Sequence, residues 1–217
     1  DSVEQGSGEE TLRFWESPVP FVVLGIAQRW QAEVVESACA ADNIPILRRC
    51  SGGGCVLQGP GSLNYTFVVR YERHPELRQL RDSYTHILGR LANAFEDAGI
   101  CAQMTGISDL AVKSLKVSGN AQKRRKHAFL HHGTLLYKTL PIARYLREPV
   151  DRPDYRGDRA HDAFIGRVDF TPAVLRRLVT EALCPEAIQG PLTARELTET
   201  RRLTVQKYST DAWNRRR

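Results

Sequence analysis

The sequence predicts an α+β domain, a mixed or antiparallel sheet flanked by helices, on three observations. Short strand-like runs recur between glycine-rich turns. Residues 75–98 carry a broad apolar stripe at helical spacing, from Leu77 through Tyr84, Ile87 and Leu91 to Phe95. No repeat, linker or low-complexity segment interrupts the 217 residues, a length that suits one medium domain.

The elements follow in order. Strands are expected at Thr11–Trp15 and Phe21–Leu24, separated by Pro18 and Pro20. Residues 28–41 read as an amphipathic helix through Trp30, Val34, Val35 and Ala38. Residues 44–49, 55–58 and 64–71 follow as three strands. The long helix has Pro75 near its first turn and Gly99 just past its end. Short strands at 100–104, 110–112, 116–122 and 128–137 come next, and the last two form a hairpin tipped by Lys123-Arg124-Arg125-Lys126-His127. Helices are expected over 140–147, 161–168, 171–183 and 193–208, the third with Thr171 as N-cap and Pro172 at its first position. Between them, Tyr155 and Phe164 read as inward packing beside surface ion pairs of Arg156 and Arg159; the other reading is a lid over a cleft.

Hydrophobic residues make up 41% and charged residues 26% of the chain, a globular mixture. No apolar run approaches the roughly 20 residues that span a membrane. Asp1-Ser2-Val3-Glu4 lacks the basic start and apolar core of a signal peptide. Five cysteines without a CxxC pair point to a reduced, cytoplasmic setting, and no Cys/His cluster has zinc-ligand spacing. The net charge of +6 favours an acidic partner. Arg215-Arg216-Arg217 reads as a frayed, solvated tail, and no helix-turn-helix, finger or aromatic-rich motif supports nucleic-acid binding.

Two stretches carry chemistry. The run Arg48-Arg49-Cys50-Ser51-Gly52-Gly53-Gly54-Cys55-Val56 puts planar cationic donors beside glycines whose backbone a ligand can approach closely. It suits an acidic small molecule or a nucleotide phosphate; it also reads as a tight turn between strands. Lys116-Val117-Ser118-Gly119-Asn120-Ala121-Gln122 sets a lysine at a strand edge beside small polar residues, and His131-His132-Gly133-Thr134 follows in the next strand. Such a lysine can act as a point-charge donor to carboxylate or phosphate, or stay in solvent.

At these residues the chain resembles the lipoate-protein ligase A family, within the wider biotin/lipoyl ligase and octanoyltransferase group. The resemblance rests on Arg48-Arg49 with Ser51-Gly52-Gly53-Gly54, Leu63-Asn64-Tyr65, Ser108-Asp109-Leu110, the Lys116-to-Gln122 run and His132-Gly133. Lys207-Tyr208-Ser209 with Trp213-Asn214 looks like the family's C-terminal signature, and the likeness covers about residues 11–213. It implies a single catalytic domain over residues 1–217, without a C-terminal accessory domain. The implied reaction joins lipoate, or a related medium-chain acyl acid, to AMP from ATP, then to a lysine of a lipoyl carrier domain. The carrier would be acidic: a dehydrogenase acyltransferase subunit, a glycine cleavage H protein or similar. A separate accessory subunit could assist adenylation.

The resemblance also assigns roles. Arg48, Arg49, Ser51, Gly52, Gly53 and Gly54 would line the meeting point of acyl group and nucleotide. Lys116 would donate to the carboxylate or adenylate oxygen, stabilising charge as it develops. Asn64, Ser118, Gly119, Asn120, His132 and Gly133 would shape the cleft, and Asp109 would hold Mg²⁺. The basic hairpin tip would steer the acidic carrier.

Gln58-Gly59-Pro60-Gly61 departs from the family, whose ligases usually carry a histidine and an acidic residue there. Two other readings therefore stand. Cys101 resembles the nucleophile position of cysteine-dependent octanoyltransferases, which use an acyl-carrier thioester and no ATP. A non-catalytic acyl or nucleotide binder is the third. Cys50 and Cys55 read as packing under the glycine loop, and His131 as structural or exposed.

Overall fold

The structure, a computed structural model, describes residues 2–216. Its centre is a six-stranded sheet built from β1 (Thr11–Trp15), β5 (Ser62–Arg70), β6 (Ala102–Thr105), β7 (Asp109–Val112), β8 (Leu115–Arg124) and β9 (Ala128–Leu136). The order is β1-β5-β9-β8-β7-β6, antiparallel throughout. A second sheet, order β3-β2-β4, joins β2 (Phe21–Leu24) parallel to β3 (Ile46–Arg48) and antiparallel to β4 (Val56–Gln58). The expected α+β class, an antiparallel sheet flanked by helices, is the observed one.

Side-chain alternation gives the large sheet two unlike faces. Leu63, Tyr65, Phe67 and Val69 of β5 and Phe129 and Leu135 of β9 face a core with α3 (Leu80–Asp97) and α6 (Pro172–Leu183). Asn64 and Thr66, with Leu130, His132 and Thr134, face the other way and line a cavity. A second apolar cluster packs the small sheet on α2 (Glu36–Ala41) and α4 (Ile142–Tyr145).

The local signals held where local energetics decide. A 3-10 turn over Pro75–Leu77 leads into α3, and Gly99 at φ 86° ends it. Thr171 caps α6 by accepting from the Val174 amide at 3.3 Å. The 28–41 helix is broken instead into α1 (Trp30–Glu33) and α2. Val34 forms a bridge with Leu146, and the Val35 amide donates to the Tyr145 carbonyl at 2.8 Å. Two adjacent β-branched residues are easily drawn into this extended pairing. The same pairing trims 140–147 to α4. Residues 161–168 shrink to α5 (His161–Phe164), because Ile165 bridges to Lys116 and Gly166 donates to the Lys116 carbonyl at 2.8 Å. The last expected helix is α7 (Ala194–Leu203), followed by a π-helical turn Thr204–Tyr208 and α8 (Asp211–Asn214).

The expected frayed tail is also corrected. Arg216 stacks 3.9 Å over Trp213 and donates to the Ile26 carbonyl, while Arg215 stacks over Trp30; Arg217 lies outside the described residues. Phe95 is fully buried, edge-on to Phe170 at 6.0 Å. Phe95→Ala is expected to lower unfolding free energy by about 3–5 kcal/mol in urea titration; a loss below about 1 kcal/mol would contradict this packing.

Candidate active site

The sheet face away from the helices carries two adjoining cavities, of about 420 Å³ and about 920 Å³. The glycine loop and the lysine strand, far apart in sequence, both line them. Gly53, Gly54, Asp109, Lys116, Gly119 and Thr134 belong to both cavities, so the two meet there.

Arg49 organises the loop. Its Nε donates to Ser51 Oγ and the Gly52 carbonyl, both at 3.1 Å. Nη2 donates to the carbonyls of Gly52 and Gly54 at 2.5 and 2.8 Å. A trans peptide sets its N–H opposite its carbonyl. The amides of Gly53 and Cys55 therefore turn away from Arg49. Gly53 has φ 84°, and its carbonyl packs where a side chain on Gly25 would sit, so both positions require glycine.

Arg48 has a different task. Its guanidinium donates to the carbonyls of Gly25, Ile26, Gln28, Trp213, Asn214 and Arg216. It lines the cavity, yet its donors point into the chain rather than toward a ligand.

Ser51 Oγ, which accepts from Arg49, is hydrogen-bonded with His132 Nε2 at 2.6 Å. Burial, helped by the Arg49 charge, pushes His132 down to about 4, so the ring is neutral. On the opposite face His131 is fully buried and pushed down to about 3 by desolvation. The Tyr65 hydroxyl donates to Asn120 Oδ1 at 2.6 Å, so it accepts from His131 Nε2–H at 3.2 Å. Gln122 supplies a donor to the remaining ring nitrogen at 3.2 Å. Gly133 makes the bond between Tyr65 and Asn120 possible, because any Cβ there would strike both.

Lys116 Nζ stands 2.9 Å from Asp109 Oδ1, and the Tyr155 hydroxyl donates to Asp109 Oδ2 at 2.7 Å. Gly119 leaves room for this pair: a Cβ would lie 2.9 Å from Lys116 Cε. Gln58, Asn64 and Thr134 close a buried polar ring, with contacts of 2.8, 2.8 and 2.7 Å.

Arg49, Ser51, Gly53, Gly54, Asn64, Asp109, Lys116, Gly119, Asn120 and His132 thus share the cavity wall with Arg48. Gly52, Ser118 and Gly133 support it from outside its lining. Cys101 does not join them. It is exposed, precedes edge strand β6 and lines neither cavity; β7 separates β6 from β8, two strand spacings or about 10 Å. Cys55 does line the cavity, but burial pushes its thiol up to about 12.

Sequence reasoning assigned no role to Thr134 or Gln58. Period-two alternation from His132 would have found Thr134; Gln58 had no such local signal. It also placed Arg156 at the surface. Arg156 is buried, paired with Glu148 at 2.5 Å and stacked on Phe164 at 4.7 Å. Pro153, Asp154 and Arg156 wall the larger cavity, while Tyr155 packs on Phe164 at 5.2 Å. No helix among the described residues is long and apolar enough to cross a membrane.

Fold and site define a class: an α+β domain whose antiparallel sheet floors a paired cavity between a glycine loop and a lysine strand. Residues 1–156 match the lipoyl protein ligase A/B catalytic domain, and the chain belongs to that family. Lipoate--protein ligase 1 of Staphylococcus aureus is 31% identical over 117 residues, 54% of this chain and 34% of that protein. Lipoate-protein ligase A of Psychrobacter cryohalolentis is 33% identical over 126 residues, 58% of this chain and 34% of that one. The matched region thus spans about a third of each of these relatives. Among solved structures, a bi-partite lipoate protein ligase from Thermoplasma acidophilum, described with its E2 lipoyl domain, superposes with a TM-score of 0.85 at 21% identity. That superposition covers 99% of this chain and 88% of the other. A lipoate-protein ligase A bound with ATP gives 0.83 at 21% identity, over 99% and 90%. At such identity these two likenesses show the fold.

The two neutral histidines make stability depend on pH. Their folded pKa values lie below the ordinary 6.5, so the unfolded chain binds more protons as pH falls toward 4 and 3. Stability is fully present above pH 6.5 and falls below it, each imidazole contributing a slope of up to about 1.4 kcal/mol per pH unit. Urea midpoints are expected to drop between pH 7.5 and 5, less steeply in His132→Asn; equal midpoints would contradict the assignment.

Proposed function

We propose that this protein activates lipoate, or a related medium-chain acyl acid, with ATP and passes the acyl group to a lysine of a lipoyl carrier domain. The observation that carries this reading is the junction of two cavities at Lys116 and Asp109, under the glycine loop. The smaller, flanked by the stacked rings of Trp15 and Phe21, suits an acyl chain; the larger suits a nucleotide. Two similar proteins are lipoate-protein ligases, and a structural neighbour, lipoate-protein ligase A, is bound with ATP, which supports the same reaction.

In the first step a carboxylate oxygen attacks the α-phosphorus of ATP, and pyrophosphate leaves. In the second the carrier amine attacks the acyl carbonyl, AMP leaves and the amine gives up a proton. Lys116 Nζ would donate to the oxygen that gains charge in each step. Asp109 positions that ammonium, and Gly119 keeps the space in which it moves. Arg49 acts through the loop, whose Gly53 and Cys55 amides it turns outward.

Mg²⁺ fits with Asp109 as its single protein carboxylate. Each Asp109 oxygen has one partner, and the described residues hold no group of three or more His, Cys, Asp or Glu side chains for a cation. The ion would draw its other ligands from phosphate and water, and would neutralise phosphate charge.

The basic hairpin tip lies about 26 Å from Lys116 along β8, eight residues at the strand rise. It would steer an acidic carrier rather than touch the reacting atoms. Lys123→Glu with Lys126→Glu is expected to slow carrier acylation at low salt and leave acyl-adenylate formation unchanged; salt-independent rates would contradict steering.

Radiolabelled ATP and lipoate, with and without a carrier domain, test the reaction itself. Lys116→Ala should cut acyl-adenylate formation about 100-fold while the protein remains folded by circular dichroism. Undiminished activity would remove Lys116 from the mechanism. ATP-independent transfer from an octanoyl carrier would overturn the ligase reading.

A further inference from the structure

The C-terminal signature residues lie beyond the 1–156 family match, yet they build part of the smaller cavity. Tyr208 lines that cavity at the end of the π-helical turn. Its ring stands edge-on to Trp213 at 5.6 Å, and Cys50 lines the same cavity. Trp213 in turn lies between two cations, Lys207 Nζ at 4.1 Å and the Arg216 guanidinium at 3.9 Å from its ring.

The strap is pinned to the glycine loop through a strand edge. β3 is the edge of the small sheet, and its Arg48 backbone is taken up by side chains. Trp213 Nε1 donates to the Arg48 carbonyl at 2.8 Å, and Asn214 Oδ1 accepts from the Arg48 amide at 2.9 Å. These two groups replace what another strand would supply. Asn214, itself buried, also donates from Nδ2 to the Tyr208 carbonyl at 2.9 Å. One side chain therefore fixes Tyr208 relative to the strand that leads into Arg49 and Ser51.

Tyr208 belongs to the smaller cavity alone, whereas Lys116, Asp109 and Thr134 belong to both. Leu130 also lines only the smaller one. From Thr134 to Leu130, β9 runs four residues, about 13 Å. The cavity is thus a slot with the reacting end at Lys116 and a tail end toward Leu130, Cys50 and Tyr208.

We infer that Tyr208 closes the tail end of this slot and sets the longest acyl chain it accepts, with Asn214 and Trp213 as the positioning residues that hold it. The inference rests on the acyl-acid reading above, and its test needs no turnover. Unbranched acids from six to fourteen carbons are titrated calorimetrically without ATP against wild type, Tyr208→Phe, Tyr208→Ala, Tyr208→Trp and Asn214→Ala. Tyr208→Ala should move the preferred acid to a longer chain, by about tenfold in relative affinity, the lower range of one methylene in a fitted apolar pocket. Tyr208→Phe keeps the wild-type order, and Tyr208→Trp moves it toward shorter chains. Asn214→Ala weakens octanoate about tenfold while ATP affinity stays within about twofold. An unchanged chain-length order in folded Tyr208→Ala, or in Tyr208→Trp should the alanine variant not fold, overturns the inference alone. Failure of wild type to bind any acid of the series overturns the acyl reading and this inference together.

Discussion

The register between β8 and β9 is the constraint on which the site depends. Asn120 faces Gly133 and Ala121 faces His132 across that pair. One face of it closes the helical core, and the other floors the cavity. A one-residue slip would exchange His131 and His132, placing an ordered core imidazole in the cavity and the Ser51 partner in the core. Tyr65, Asn120 and Gln122 resist such a slip, because each would leave a buried polar group without its partner.

Upon that floor three cations, similar in sequence, take three different tasks. Arg48 clamps the C-terminal segment to β3. Arg49 shapes the glycine loop through its carbonyls. Lys116 is held by one carboxylate at the junction of the cavities and keeps further N–H donors for a ligand. Guanidinium groups suit the first two because a planar fork engages several carbonyls at once. A compact ammonium suits the third, where, on the proposed mechanism, a single charge would follow a changing oxygen.

Much of this was legible locally. The apolar stripe of α3, its stop at Gly99 and the Thr171 cap are decided by residues within a few positions of each other. The two stretches that carry candidate chemistry, glycines beside arginines and a lysine beside Gly119, were legible too, and the fold brings both to one cavity. What escaped were pairings between distant residues. Val34 and Val35 leave the helix for Leu146 and Tyr145. Tyr155 reaches Asp109 from 46 positions away, and Arg48 finds carbonyls more than 160 positions downstream. Gln58 stood out in the sequence only as a departure from the family pattern, and the fold alone brings it to Asn64 and Thr134. Cys101 looked suggestive because chain order says nothing of which strand forms the edge.

The most direct test of the account is a crystal structure with a non-hydrolysable acyl-adenylate, an acyl sulfamoyl adenosine with an eight-carbon chain. The account predicts the tail along β9 in the smaller cavity, the adenosine in the larger, and the linking group within hydrogen-bond reach of Lys116 Nζ. An acyl tail outside the smaller cavity, or a linking group remote from Lys116, would contradict it.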